Sequence, residues 1–213
     1  MRLMIGLALA LAGSLPCLAQ NWEVGPFGGF GFCKDATIAN GSGTAKAGVG
    51  PRFTLGVSVG HRVNSYLDAE FRYALRDGDT ELLRSPLAAN MDGDAQVFDF
   101  GLLLHTRRKW LGLQPYVVGG TGMKLYRATG VEYTNPPQPL SDFALLKKGN
   151  QGEPIIAFGG GVKRALGRRT LVRLDVRDVI TPFPESLIHP TPPSTVKGWL
   201  HDFVPTIGLG FRF

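Results

Sequence analysis

Four histidines, His61, His105, His189 and His201, are the side chains of this 213-residue chain that change charge nearest neutral pH. No pair of them has the spacing of a helical metal site, and His189 sits in a proline-rich stretch. No metal or other cofactor is expected. The carboxylates Asp68, Glu70, Asp99 and Asp175 have the chemistry of a paired acid and base, as in glycoside cleavage. Yet Asp68-x-Glu70-x-Arg72 and Arg173-x-Asp175-x-Arg177 each set both signs on one face of a strand. That balance favours ion pairs over catalysis. Gly159-Gly160-Gly161-Val162-Lys163 lacks both the spacing of a phosphate loop and its following Ser or Thr. What these charges require is a backbone that holds them in register.

From residue 22 onward the dominant period is two. Phe53, Leu55, Val57 and Val59 alternate with Arg52, Thr54, Gly56, Ser58 and Gly60, so one face is apolar and the other polar or small. Alternation recurs in 66–75, 170–180 and 202–213, and eight segments can be placed, at 22–33, 50–61, 66–75, 95–106, 113–127, 153–165, 170–180 and 202–213. Glycines blur the faces of the first, fifth and sixth segments. Each segment is near the length a tilted strand needs to cross a bilayer. The connections at 34–49, 76–94, 128–152 and 181–201 are long, and those at 62–65, 107–112 and 166–169 are short. A soluble sandwich has no reason to sort its loops by parity. An up-and-down barrel inserted from one side of a membrane does, and this puts both termini on the inner, periplasmic side. The expected fold is all-β, an eight-stranded antiparallel up-and-down transmembrane barrel. The polar face then lines a narrow lumen, where Asp68, Glu70, Arg72, Asp99, Arg173, Asp175, Arg177 and Arg212 form an ion-pair network.

Composition narrows the field in the same direction. The chain has 29 Gly, 44% hydrophobic and only 19% charged residues, and its 13 Phe, 5 Tyr and 3 Trp exclude a disordered chain. After residue 19 there is no long uncharged apolar run, which excludes a helical membrane bundle. Residues 1–19 read as a secretory leader, with Arg2, an apolar stretch from Leu3 to Leu15 and the small-residue end Cys17-Leu18-Ala19; the barrel domain is 20–213. Without Arg2 the 23 basic residues become 22 against 17 acidic, and the net charge falls from +6 to +5. Cys33 would remain as a single thiol, so no internal disulfide is expected. Basic residues are dispersed or sit at turns, as in Arg107-Arg108-Lys109 and Arg168-Arg169, which argues against nucleic acid and fits solvated turns, or contact with anionic lipid headgroups or the cell wall. Trp22, Tyr73, Trp110, Tyr126 and Trp199 fall near strand ends, where interfacial aromatics belong. The segments Asn135–Pro139 and Pro182–Pro193 are rich enough in proline to be expected as extended or mobile.

The chain closes on Thr206-Ile207-Gly208-Leu209-Gly210-Phe211-Arg212-Phe213. Thr206, Gly208, Phe211 and Phe213 resemble, position by position, the signal read by the outer-membrane barrel assembly machinery. With eight strands and a leader, residues 20–213 resemble the small outer-membrane β-barrel family of OmpA/OmpX type, without a peptidoglycan-binding domain. The resemblance implies a bacterial outer-membrane location, contact with outer-membrane lipids, and the assembly machinery as a partner during biogenesis. Barrels of this size include lipid A deacylases with a His-x-Ser pair. Here the residue two after each histidine is Val63, Arg107, Thr191 or Phe203, so that pair is absent. The expected role is a monomeric structural or surface-interaction barrel, closed by ion pairs and meeting any external ligand through its four long loops. The alternatives are a lipid- or sugar-modifying enzyme with His189 or His201 as base, a narrow pore for small solutes, and a soluble lipocalin-like barrel.

Overall fold

The computed structural model describes residues 21–50, 52–106, 111–130 and 138–213. Among these, the strands in chain order are β1 (Trp22–Lys34), β2 (Ala36–Asn40), β3 (Gly43–Val49), β4 (Arg52–Arg62), β5 (Leu67–Asp77), β6 (Thr80–Arg84), β7 (Leu87–Met91), β8 (Gly93–His105), β9 (Leu113–Ala128), β10 (Ala144–Leu146), β11 (Gly149–Ala165), β12 (Thr170–Thr181), β13 (Ile188–Pro190), β14 (Thr195–Lys197) and β15 (Leu200–Arg212). Strands β1, β4, β5, β8, β9, β11, β12 and β15 pair antiparallel with their chain neighbours, and β15 pairs with β1 to close the barrel. Closure leaves no barrel edge unpaired, which a wall facing hydrocarbon requires. This is the eight-stranded antiparallel up-and-down barrel expected from the alternation.

Burial settles the faces that glycine obscured. On β1, Glu23, Gly25, Phe27, Gly29 and Gly31 point inward, and Trp22, Val24, Phe30 and Phe32 point out. On β12, Leu171, Arg173, Asp175 and Arg177 are buried while Leu174 and Val176 are half exposed. Phe100, Leu102, Val117, Ile156, Phe158, Ile207 and Phe211 continue an outward apolar band. In water a continuous band of this kind would be an aggregation surface; against acyl chains it is the solvated face. Short turns close one end: Val63 and Asn64 N–H groups both donate to Leu67 O, and those of Leu166 and Gly167 to Thr170 O.

The other end differs from expectation. The described residues of 34–49, 76–94, 128–152 and 181–201 are not plain loops. They extend the barrel strands and fold into a five-stranded sheet, β14-β2-β3-β6-β7, and a two-stranded sheet, β10-β13. Ile38, Ala45, Ala47, Leu82, Met91 and Ile188 bury one face of these strands, with Phe143 just before β10, in a single core with Ala95, Tyr126 and Leu200 of the barrel. Pro182–Pro193 is likewise no mobile tract: Phe183, Pro184, Leu187 and Ile188 are buried, and Pro184 O accepts the N–H groups of Leu187 and Ile188. Its apolar residues find a core, and Pro192-Pro193 form a turn after β13. Of Asn135–Pro139, the residues before Gln138 lie outside those described, as do residues 1–19, expected as a leader, Trp110 and Arg107-Arg108-Lys109.

Candidate functional site

The inward face is stacked in layers from the turn end outward. At the turn end Lys163 Nζ lies 3.1 Å from Glu23 and 3.3 Å from Asp68, and Asp68 also meets His105 Nε2 at 2.7 Å. Arg212 sits at this mouth, 3.4 Å from Glu23 and apart from the other lumen arginines. In the middle layer Glu70 pairs with both Arg173 and Arg177, and Arg177 Nη1 also reaches Asp99 at 2.6 Å. Asp175 is the hub of this layer. It accepts hydrogen bonds from Arg72 Nη1 (3.2 Å), Arg173 Nη2 (2.8 Å), the Tyr116 hydroxyl (2.7 Å) and Thr206 Oγ1 (2.6 Å). The Arg72 guanidinium lies 3.8 Å above the Phe27 ring, so its remaining face rests on an aromatic rather than on water.

Above this comes an apolar girdle of Phe27, Ala74, Val97, Ile155, Ala157 and Val179. A third layer follows, in which Asp202 receives both Arg76 and Lys124, the latter at 3.0 Å. The apolar core of the outer end closes the column. Alternation announced inward charge on β5 and β12 but not its partners. Glu23, Arg76, Lys124, Lys163, Asp202, Tyr116 and His105 join the network from strands whose register only the folded barrel supplies. The four carboxylates weighed as acid and base are each held by cations: Asp68 by Lys163, Glu70 by Arg173, Asp99 by Arg177 and Asp175 by Arg72.

Thr206, Gly208 and Phe211 lie on the closing strand β15, and Phe213 follows it directly. Thr206 faces the lumen in the Asp175 cluster, Phe211 and Phe213 are exposed on the apolar side, and the Phe213 N–H donates to Trp22 O. At Gly208 an added Cβ would lie 3.1 Å from both Arg173 Cγ and Phe27 Cβ, so only glycine leaves those side chains their full room. Of the aromatics expected at the interfaces, Trp22 is exposed at the turn end against His61, Trp199 is exposed at the outer end, and Tyr73 lies on the outward face against Phe98. Tyr126 is a correction. It points inward, is 3% exposed and hydrogen-bonds Thr181 at 2.8 Å, because its even-numbered position on β9 shares the face of Lys124.

At the outer end the carboxyls of Asp35 and Glu81 lie against Gly48 and Gly50. Burial pushes the Asp35 carboxyl above the ordinary carboxylate value, with Lys46 partly opposing. Burial, then the charges of Asp35 and Asp79, push Glu81 upward against Arg52. His201 Nδ1 stands 2.9 Å from Asp178, on the outward face, whereas His189 is exposed on β13. Among the described residues no group of His, Cys, Asp and Glu is arranged to hold a metal ion.

No protein-family model matches the chain, and no curated protein is significantly similar to it in sequence. Solved structures are similar. Neisserial surface protein A shares 14% identity at a TM-score of 0.54, over 90% of this chain and 97% of that one. The outer membrane protein OprG from Pseudomonas aeruginosa shares 16% identity at 0.54, over 92% and 97%. The fold is that of the small outer-membrane β-barrels. The outer membrane protease OmpT from Escherichia coli is also similar, at 9% identity and a TM-score of 0.50, over 94% of this chain and 99% of that one. At such identities the likeness is one of fold.

Proposed function

We propose that the chain is an integral outer-membrane barrel with a structural or surface-interaction role, whose interior is closed to solutes. The observation that carries this is the filled column inside: paired charges through most of the barrel, then an apolar core over the outer mouth. An eight-stranded barrel has an interior about filled by its own side chains, and here the cap adds a second seal. Residues 1–19 act as the export leader, and Thr206, Gly208, Phe211 and Phe213 as the assembly signal on the last strand. Both termini are periplasmic and the capping sheet faces outward as the surface that external partners meet. The barrel works as a monomer among outer-membrane lipids. Heat-dependent gel mobility, combined with protease treatment of intact cells, tests this. Cleavage confined to the capping sheet with a heat-sensitive mobility shift is expected; salt or carbonate extraction without detergent would point to a soluble barrel instead.

A second reading has one observation in its favour. Asp178 holds Nδ1 of His201 on the outer wall, which leaves Nε2 as a base at the rim. Among the described residues no serine or threonine hydroxyl hydrogen-bonds to His201, so a hydrolase would have to activate water there. His201→Ala without loss in a lipid-modification assay removes that reading.

A further inference from the structure

Just above the apolar band, the outward wall carries polar side chains most of which do nothing to hold the barrel. Register sets Asp94 of β8, Arg127 of β9 and Asn150 of β11 side by side. The row beneath is Gln96, Leu125 and Gly152, and the next is Phe98, Met123 and Pro154. The missing side chain at position 152 helps open a groove of about 400 Å³ lined by the upper rows. Its polar groups are unspent. Among the described residues Asp94 Oδ1 has no hydrogen-bond partner, and the side chains of Arg127 and Asn150 make no hydrogen bond or ion pair. Gln96 Oε1 accepts the Tyr73 hydroxyl at 3.3 Å, which leaves its amide nitrogen as a donor.

We propose that this groove binds the sugar headgroup of a membrane glycolipid. A pyranose offers hydroxyls that both donate and accept, and the groove answers with a carboxylate, two amides and a guanidinium in fixed order. Within the upper row one acid stands against one arginine, so the groove has no excess of positive charge to select a phosphate. Its volume lies in the range of small-molecule sites. Directly beneath lie Leu125, Met123 and Phe98, on the face where acyl chains run, and this places the sugar on a lipid rather than free in solution. The inference rests on the outward wall being membrane-facing, as proposed above.

The test uses full-length barrel reconstituted in phosphatidylcholine nanodiscs containing diglucosyl diacylglycerol, with retained lipid read by native mass spectrometry. The wild type is expected to retain the glycolipid over phosphatidylcholine. Arg127→Ala should weaken retention about tenfold, the loss of roughly one charged hydrogen bond. Gly152→Leu fills the groove and should abolish retention. The new Cβ would meet only Leu125 Cδ2 at 3.1 Å and Met123 Sδ at 3.6 Å, both ends of flexible side chains, so the barrel keeps its heat-dependent mobility. Equal retention by Gly152→Leu overturns the proposal. So does phosphatidylglycerol held as firmly as the glycolipid, which marks an anion site, or free gentiobiose competing at equal concentration, which marks a soluble-sugar site. Failure of the protein to float with lipid vesicles would instead strike the membrane placement, independently of the groove.

Discussion

Inward positions of the barrel carry opposite chemistry at the two ends of the molecule. Toward the turns, β5 and β12 present Asp68, Glu70, Arg72, Arg173, Asp175 and Arg177; toward the outer end, β8, β9 and β15 present Ala95, Tyr126, Ala128 and Leu200. The ionic half is a network in which each charge is paired only while its partners stay. The apolar half is a sum of contacts that lose strength piece by piece. The two seals should therefore fail differently: the lumen by stranding a buried charge, the cap by local loosening.

Removing the hub of the ionic half is expected to have the largest effect. Asp175→Ala strands Arg72 among buried groups, leaves Arg173 only its ion pair with Glu70 among the described residues, and should cost about 3–5 kcal/mol of barrel stability, measured by urea unfolding in lipid vesicles. Loss of stability under about 1 kcal/mol, in the range of exposed ion pairs, would mean that water reaches the pair and the lumen is open. In the cap, Leu82 is fully buried at the centre of the apolar core. Leu82→Ala should cost about 3 kcal/mol, seen as faster proteolysis of the capping sheet while the heat-dependent mobility of the barrel stays. A parallel loss of barrel mobility would show the two halves to be one cooperative unit. At their boundary, Tyr126→Phe removes the bond to Thr181 and should cost about 1 kcal/mol, read by the same urea titration.

The smallest effect is that of pH on the cap. For Asp35 and Glu81 the folded-state pKa lies above the unfolded one, so their charges destabilise the capping sheet at neutral pH. That penalty disappears as pH falls through the raised values. Hydrogen-exchange protection factors, taken relative to the intrinsic rate at each pH, should therefore rise in β2, β3 and β6 on mild acidification, and Asp35→Asn should remove much of the dependence. Falling protection factors on acidification would reverse the sign of the burial argument.

The barrel was legible because alternation survives wherever side chains are large. Phe53, Leu55, Val57 and Val59 declare a face that Gly28, Gly119 or Gly160 cannot, and loop parity needs no side chains at all. The cap was less legible, although the same period is present in Ala36-x-Ile38, Ala45-x-Ala47 and Ala89-x-Met91. Alanine is too weakly apolar to announce a buried face, and short strands between turn residues read as loop. Which charges would pair was hidden for another reason. Lys124 meets Asp202, and Lys163 meets Glu23 and Asp68, across strands distant in sequence, through a register set only when the barrel closes. The groove at Asp94, Arg127 and Asn150 is likewise a product of register.

Planar-bilayer recording tests the closed interior most directly. Wild-type barrel should insert without stable conductance steps, and Leu82→Ala should remain silent because the ionic half still blocks the lumen. Stable, ohmic single-channel steps from the wild-type protein would show an open path through both seals and contradict the account.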